Sequence, residues 1–219
     1  VFALEVRPRR AVAAGQEVAV LAALTGMGLS AAAGLNAYIP FLIVALLARF
    51  TDVVTLPTGY EWMESGWAIG VGAVLLLAEV VLDKVPAVDT VNDAIQTFIR
   101  PSMGGLIFAA TTAAAEIDSS TWMAEHPWVS VVLGVLISGL VHTGKMAARP
   151  VVNGATVGFG GPVVSTVEDG ASIGLSFIAL LAPVFVVVAL GLLAWLLVWM
   201  WLRVRDWRRS RQPPSYAGP

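Results

Sequence analysis

The chain reads as an all-α, polytopic membrane helical bundle of about five to six spans, and three observations predict it. Of its 219 residues 58% are hydrophobic, only 13% are charged, and the mean hydropathy is +0.81. A soluble domain of this length carries about a quarter of its residues as charges. Residues 171–202 run without one charged side chain, whereas a span needs only about twenty apolar residues. Finally, residues 67–101 and 128–162 are related at a constant offset of 61, with twelve identities in thirty-five positions. The matches include polar ground: Lys84 with Lys145, Asn92 with Asn153, Phe98 with Phe159 and Pro101 with Pro162. Membrane transport folds often use such duplicated units around a shared pathway.

Residues 1–16 form a short basic leader. Arg7, Arg9 and Arg10 followed by an apolar run and Ala31–Ala33 imitate a signal peptide. The apolar character continues to Ala48, too far for an h-region, so a retained first span is expected. The single transmembrane domain covers residues 17–202. Its first segment, 17–48, would be about 48 Å long as one helix, so tilt, extension or a break is required. Gly34-Leu35-Asn36-Ala37-Tyr38-Ile39-Pro40 is the place for a break, because Pro40 removes a donor and Asn36 can satisfy a freed backbone group.

A loop at 49–65, with aromatic residues suited to the lipid boundary, leads to a second span at 66–82 that contains Glu79. Residues 83–100 are too polar for lipid, yet Val88, Val91, Ile95 and Phe98 recur at helical spacing. A short amphipathic or re-entrant helix is expected there, with Pro101 opening a third span to 117. After a loop at 118–127, a fourth span runs from 128 to 145. Residues 148–168 repeat the irregular stretch with many glycines, and the last span, 170–202, is kinked at Pro183. The basic tail, 203–219, holds five arginines in nine positions at its start and ends in a Pro-rich, disordered segment. Those arginines mark the cytoplasmic side and would hold anionic lipid. Five crossings place the N-terminus outside, and a sixth brings both termini inside.

Ionisable and amide side chains at membrane depth form a candidate polar site: Asn36, Glu79, Lys84, Asp89, Asn92, Asp93, Arg100, Lys145, Arg149, Asn153 and Glu168. Each intramembrane charge costs about 2.5–3.5 kcal/mol on insertion scales and by default marks an ion or substrate path. The dull alternatives are that Glu79 pairs with Lys84, that the lysines snorkel, and that each Asn caps its own irregular backbone. The expected helix breaks are Pro40, Pro101, Gly160, Gly161 and Pro162. If Pro101 and Pro162 open helices, their N-termini with Lys84, Arg100, Lys145 and Arg149 would suit an anion. Asp83, Asp89, Asp93 and Glu168 would neutralise those bases or take cations or protons. Gly104-Gly105 and Gly160-Gly161 suit close helix packing.

Three pieces carry a family resemblance: residues 34–42, the stretch from Glu79 through Pro86-Ala87-Val88-Asp89 to Pro101, and residues 160–168. They resemble a bacterial and archaeal membrane family known as domain of unknown function 4126, over roughly residues 20–200. The resemblance implies a small polytopic protein of the bacterial cytoplasmic (inner) membrane, with the C-terminus cytoplasmic, and no activity.

No nucleophile elbow, zinc pair or P-loop is present, so neither an enzyme nor a cofactor or metal site is expected. The net charge of −2 gives no nucleic-acid footprint. Two functions follow. One is a small transporter or channel for an ion, an anionic solute or a lipid headgroup. The other is a non-catalytic accessory or lipid-organising subunit of a larger complex, or a homo-oligomer, motivated by the aromatic last helix. A polar cavity lined by Asn92, Asn153 and Glu79 would favour the first, and a dry, ion-paired interior the second.

Overall fold

The computed structural model describes residues 9–83, 86–116, 126–155 and 160–210. Among these it is helical without strands. Seven α-helices follow in order: α1 Arg9–Leu35, α2 Tyr38–Phe50, α3 Gly66–Leu82, α4 Pro86–Glu116, α5 Pro127–Ala155, α6 Gly160–Leu181 and α7 Val186–Ser210. Short 3-10 turns at Glu61–Glu64 and Pro183–Phe185 precede α3 and α7.

The end of α1 is the centre of the bundle. Small residues allow this: Ala31, Ala32 and Ala33 are fully buried between α4, α5 and α6. Gly34 is required by contact, since a Cβ there would lie 2.6 Å from the Ser138 carbonyl oxygen on α5. A second close approach joins α4 to α5, where Gly134 meets the backbone of Gly104 and Gly105 with no room for a side chain. Close packing is therefore the role of the Gly104-Gly105 pair. An apolar core of Leu29, Phe41, Val44, Met63, Ile107 and Val186 fills one end of the bundle. The outward faces of α3, α5 and α7 are apolar as well, with Leu77, Leu140 and Leu192 exposed.

Four helical segments are long and apolar enough to cross a membrane: Gly15–Leu35, Pro127–Arg149, Gly160–Leu181 and Pro183–Arg203. The five to six expected spans are not reproduced, because α2 and α3 have 13 and 17 residues and the first half of α4 is polar.

Several boundaries differ from expectation. Part of the expected leader is helical, since α1 begins at Arg9. Residues 17–48 break at Asn36–Ala37, as Pro40 suggested. Pro101 opens no helix; it lies inside α4, which begins fifteen residues earlier at Pro86. A proline in mid-helix loses one backbone hydrogen bond, and close packing of α4 on α1 and α5 holds the helix together around it. What reads as one kinked final span is two helices, separated at Ala182, a residue with neither helical nor extended backbone (φ −148°, ψ 63°), before Pro183. The arginine-rich start of the tail continues α7 to Ser210, and residues 211–219 lie outside the described residues. The sequence duplication is not matched by equal helix boundaries. The α3–α4 boundary at 82–86 corresponds, at the offset of 61, to Thr143–Ala147, which is unbroken α5.

Candidate functional site

The break after α1 is built from one side chain. In a continuous helix the carbonyls of Gly34 and Leu35 would accept the N–H groups of Tyr38 and Ile39. Here the Asn36 Oδ1 accepts both, at 3.0 and 3.1 Å. Pro40 has no N–H to give the Asn36 carbonyl, so the helix loses nothing further there. The two released carbonyls are buried acceptors at a helix C-terminus, where partial negative charge gathers. Two cations answer them. Arg100 Nη1 donates to the Gly34 carbonyl at 3.3 Å, and Lys145 Nζ to that of Leu35 at 3.3 Å. Asn36 also donates through Nδ2 to Asp169 at 2.9 Å.

Polar residues reach this point because each surrounding helix carries them at helical spacing on one face. On α3 the inward stripe is Ala68, Gly72 and Glu79, with Asp83 capping the end. On α4 it is Asn92, Asp93, Gln96 and Arg100; on α5, Ser138, His142, Lys145 and Arg149; on α6, Ser165, Glu168, Ser172 and Ser176. All are buried except Glu168, which is half-buried. The pattern is apolar outside and polar inside.

Arg100, fully buried at 0% exposure, pairs with Glu79 Oε1 at 2.6 Å and lies 3.4 Å from His142 Nδ1. Thr97 and the other ring nitrogen of His142 are 3.1 Å apart. A turn away, Lys145 binds Glu168 at 2.8 Å and lies 3.7 Å from Asp83. Arg149 spans Asp93 at 3.0 Å, Asp83 at 3.4 Å and Glu168 at 3.6 Å. Asn92 and Ser165 complete Asp83 with hydrogen bonds of 2.7 and 3.1 Å. Among the described residues four carboxylates thus meet three basic side chains, and Asp169 sits beside them on Asn36.

Eight of the eleven expected site residues converge: Asn36, Glu79, Asn92, Asp93, Arg100, Lys145, Arg149 and Glu168. Lys84 lies outside the described residues, as do the side chains of Asp89 and Asn153. The dull alternative of a Glu79–Lys84 pair falls on Lys84, outside the described residues; among those described, Glu79 pairs with Arg100 from the next helix. Asn92 does not cap its own backbone; it donates to Asp83. No anion site arises from paired helix N-termini at Pro101 and Pro162. Only Pro162 stands in a first turn, and Arg100, Lys145 and Arg149 are all engaged by carboxylates. Gly160, Gly161 and Pro162 open α6, and Pro40 lies in the first turn of α2, where a missing N–H costs nothing.

The candidate set omitted Tyr38, Asp83, Gln96, His142, Ser165 and Asp169. Polar residues recurring every three or four positions within apolar helices were the signal for most of them. Among the cavities, one of about 290 Å³ lies between α1, α4 and residues 53–56, lined by Thr25, Leu29 and Thr111. Another, about 130 Å³, lies against α3 among Phe41, Trp62 and Trp67. Neither is lined by a charged side chain, and the charges themselves are packed in contact.

A family model described as a domain of unknown function, DUF4126, matches residues 23–203. No curated protein and no solved structure matches the chain.

Proposed function

We propose, for a chain that belongs to the DUF4126 family, that it is a small membrane transporter or channel whose buried charge cluster passes a cation. The observation that supports this is the burial of the cluster. Among the described residues, carboxylates on α3, α4 and α6 meet Arg100, Lys145 and Arg149, at the centre of a bundle with an apolar outer surface. Such charges are expensive in a membrane and usually line an ion path. They are also a poor means of holding helices together, since apolar replacement of a buried ion pair is often neutral or stabilising. The broken α1–α2 helix, with its C-terminal carbonyls turned on the cations, resembles the interrupted helices at transporter binding sites. The ion-paired packing is then the occluded form of the pathway.

Reconstitution into liposomes tests this. Wild-type vesicles should pass protons or a monovalent cation faster than empty vesicles, and Asp83→Asn should slow that flux at least tenfold. Wild-type vesicles no leakier than empty ones, across protons, sodium, potassium and calcium, would remove the proposal.

A second function, a non-transporting subunit in a larger assembly or a lipid-organising scaffold, is favoured by the ion-paired packing of the cluster and by α7. Only 6% of the span Pro183–Arg203 is buried within the chain. Trp195, Trp199 and Trp201 point outward, and Arg203 and Arg205 stack on Trp199 and Trp201 at 5.4 Å. That end suits anionic lipid at the cytoplasmic face of an inner membrane. Native mass analysis after gentle extraction separates the two: a lone monomer without bound lipid or partner speaks against the scaffold.

A further inference from the structure

Among the buried polar atoms of the cluster that have no hydrogen-bond partner among the described residues are Glu79 Oε2, Gln96 Oε1 and Arg100 Nε. Their side chains are 2%, 2% and 0% exposed by residue. They share one neighbourhood. Glu79 is bonded to Arg100 through its other oxygen. Gln96 stands one turn before Arg100 on the same face of α4. Tyr38 from α2 is buried in the same region, within electrostatic reach of Glu79. Leaving a buried polar atom unpaired costs about 1–3 kcal/mol, more for a charged group, so three together call for an occupant.

The chemistry of the three atoms selects it. Two are acceptors, one of them anionic, and the third is an N–H donor. A sodium or potassium ion satisfies the oxygens but is repelled by the guanidinium and leaves Nε–H orphaned. An anion satisfies Nε–H and is repelled by the carboxylate. A water molecule gives two hydrogens and accepts one, which is the complement of the set. On a cluster read as a cation pathway, we propose that Glu79, Gln96 and Arg100 hold a water-borne proton site, with Glu79 as the group that exchanges the proton.

The step balances simply. The seated water relays a proton from a hydronium outside the seat: as that proton bonds to the water's oxygen, one of the water's own O–H bonds breaks and the carboxyl O–H of Glu79 forms at Oε2. A neutral water remains, accepting from Arg100 Nε–H and donating to Gln96 Oε1, and the reverse step returns the proton. Neutral Glu79 no longer holds Arg100 by charge, which loosens the bond from Arg100 to the Gly34 carbonyl at the helix break. Loading is thereby tied to the hinge. The groups that set the field at Glu79 are Tyr38 from α2, Arg100 from α4, His142 and Lys145 from α5, and Asp83 on its own helix.

Difference infrared spectroscopy of the full chain in lipid, titrated through pH in H₂O and D₂O, tests the seat without any flux. The wild type should show a protonated-carboxyl band that rises as pH falls and shifts in D₂O. Glu79→Gln should abolish it, and Gln96→Leu should keep the band but move it to higher frequency, the mark of a weaker hydrogen bond. A titrating band that survives in Glu79→Gln, or no titrating carboxyl band in the wild type, overturns the assignment. Cation flux with no Glu79 band would retain the pathway and remove the proton. A Glu79 band in a protein that moves nothing would retain the proton site and remove the transport function.

Discussion

Arg100 and Gly104 lie one turn apart on α4, yet the helix is held by opposite means at the two positions. At Gly104 the backbone of α4 touches that of α5 at Gly134, and Ser30 donates to the Gly104 carbonyl at 2.9 Å. Beyond it Ile107 and Phe108 are fully buried in apolar contact. At Arg100 Ser138 of α5 still donates to the α4 backbone at 2.7 Å, but the side chains turn to charge: Arg100 pairs with Glu79 of α3, and further along Arg149 of α5 pairs with Asp93. One end is a steric fit that tolerates no added atom. The other is an electrostatic fit that tolerates no lost charge. In lipid, where burying apolar side chains gains little over exposing them, close packing and polar contacts supply the association. The charged end is the one with something to exchange.

The two ends should therefore break differently. The largest effect is expected from Arg100→Met, which strands Glu79 as a buried, unpaired carboxylate and should cost about 3–5 kcal/mol. Unfolding by denaturant in mixed micelles measures it, and the double variant Glu79→Leu with Arg100→Met should recover most of the loss. Full additivity of the two single effects would show that the pair is not coupled. On the apolar end, Phe108→Ala removes a fully buried ring packed on Gly26. It should cost about 3 kcal/mol from the cavity alone, with ion flux unchanged. Asn36→Ala should cost about 1–2 kcal/mol, the value of a lost cap. It should also slow flux, because the N–H groups of Tyr38 and Ile39 then compete for the carbonyls that hold Arg100 and Lys145. The smallest effect belongs to the lipid side. Leu192→Ala, 62% exposed on α7, should stay within about 0.5 kcal/mol.

Much of this architecture is legible in the chain, for reasons tied to particular residues. Apolar length marks α3 to its last residue, and Asn36 with Pro40 marks the break, because a lost donor and a side chain able to replace it lie one turn apart. Glu79 is visible as a charge in an apolar run. Its partner is not: Arg100 lies 21 residues on, and nothing local prefers it to Lys84. Pro101 misleads because proline favours a first turn, whereas tertiary packing holds it inside α4. Pro183 misleads in the other direction, as a kink that is a full break. The duplication at an offset of 61 suggested two equivalent halves, but helix ends are set by what each segment packs against, and those surroundings differ. Asp83 is visible as one of the acids after the second span, but its bond with Ser165 is not, because it joins positions 82 residues apart.

The sign of the charge that the cluster admits can be measured at Ser165. The chain has no cysteine, so Ser165→Cys gives a single thiol of nearly the same shape, facing Asp83 in place of a hydroxyl now 3.1 Å from its carboxylate. Small cationic and anionic methanethiosulfonates of equal size should then be compared on the protein in liposomes. An acidic cation pathway predicts modification by the cationic reagent at least tenfold faster. An anionic reagent that matches or outruns it, or a thiol that neither reagent reaches, contradicts it.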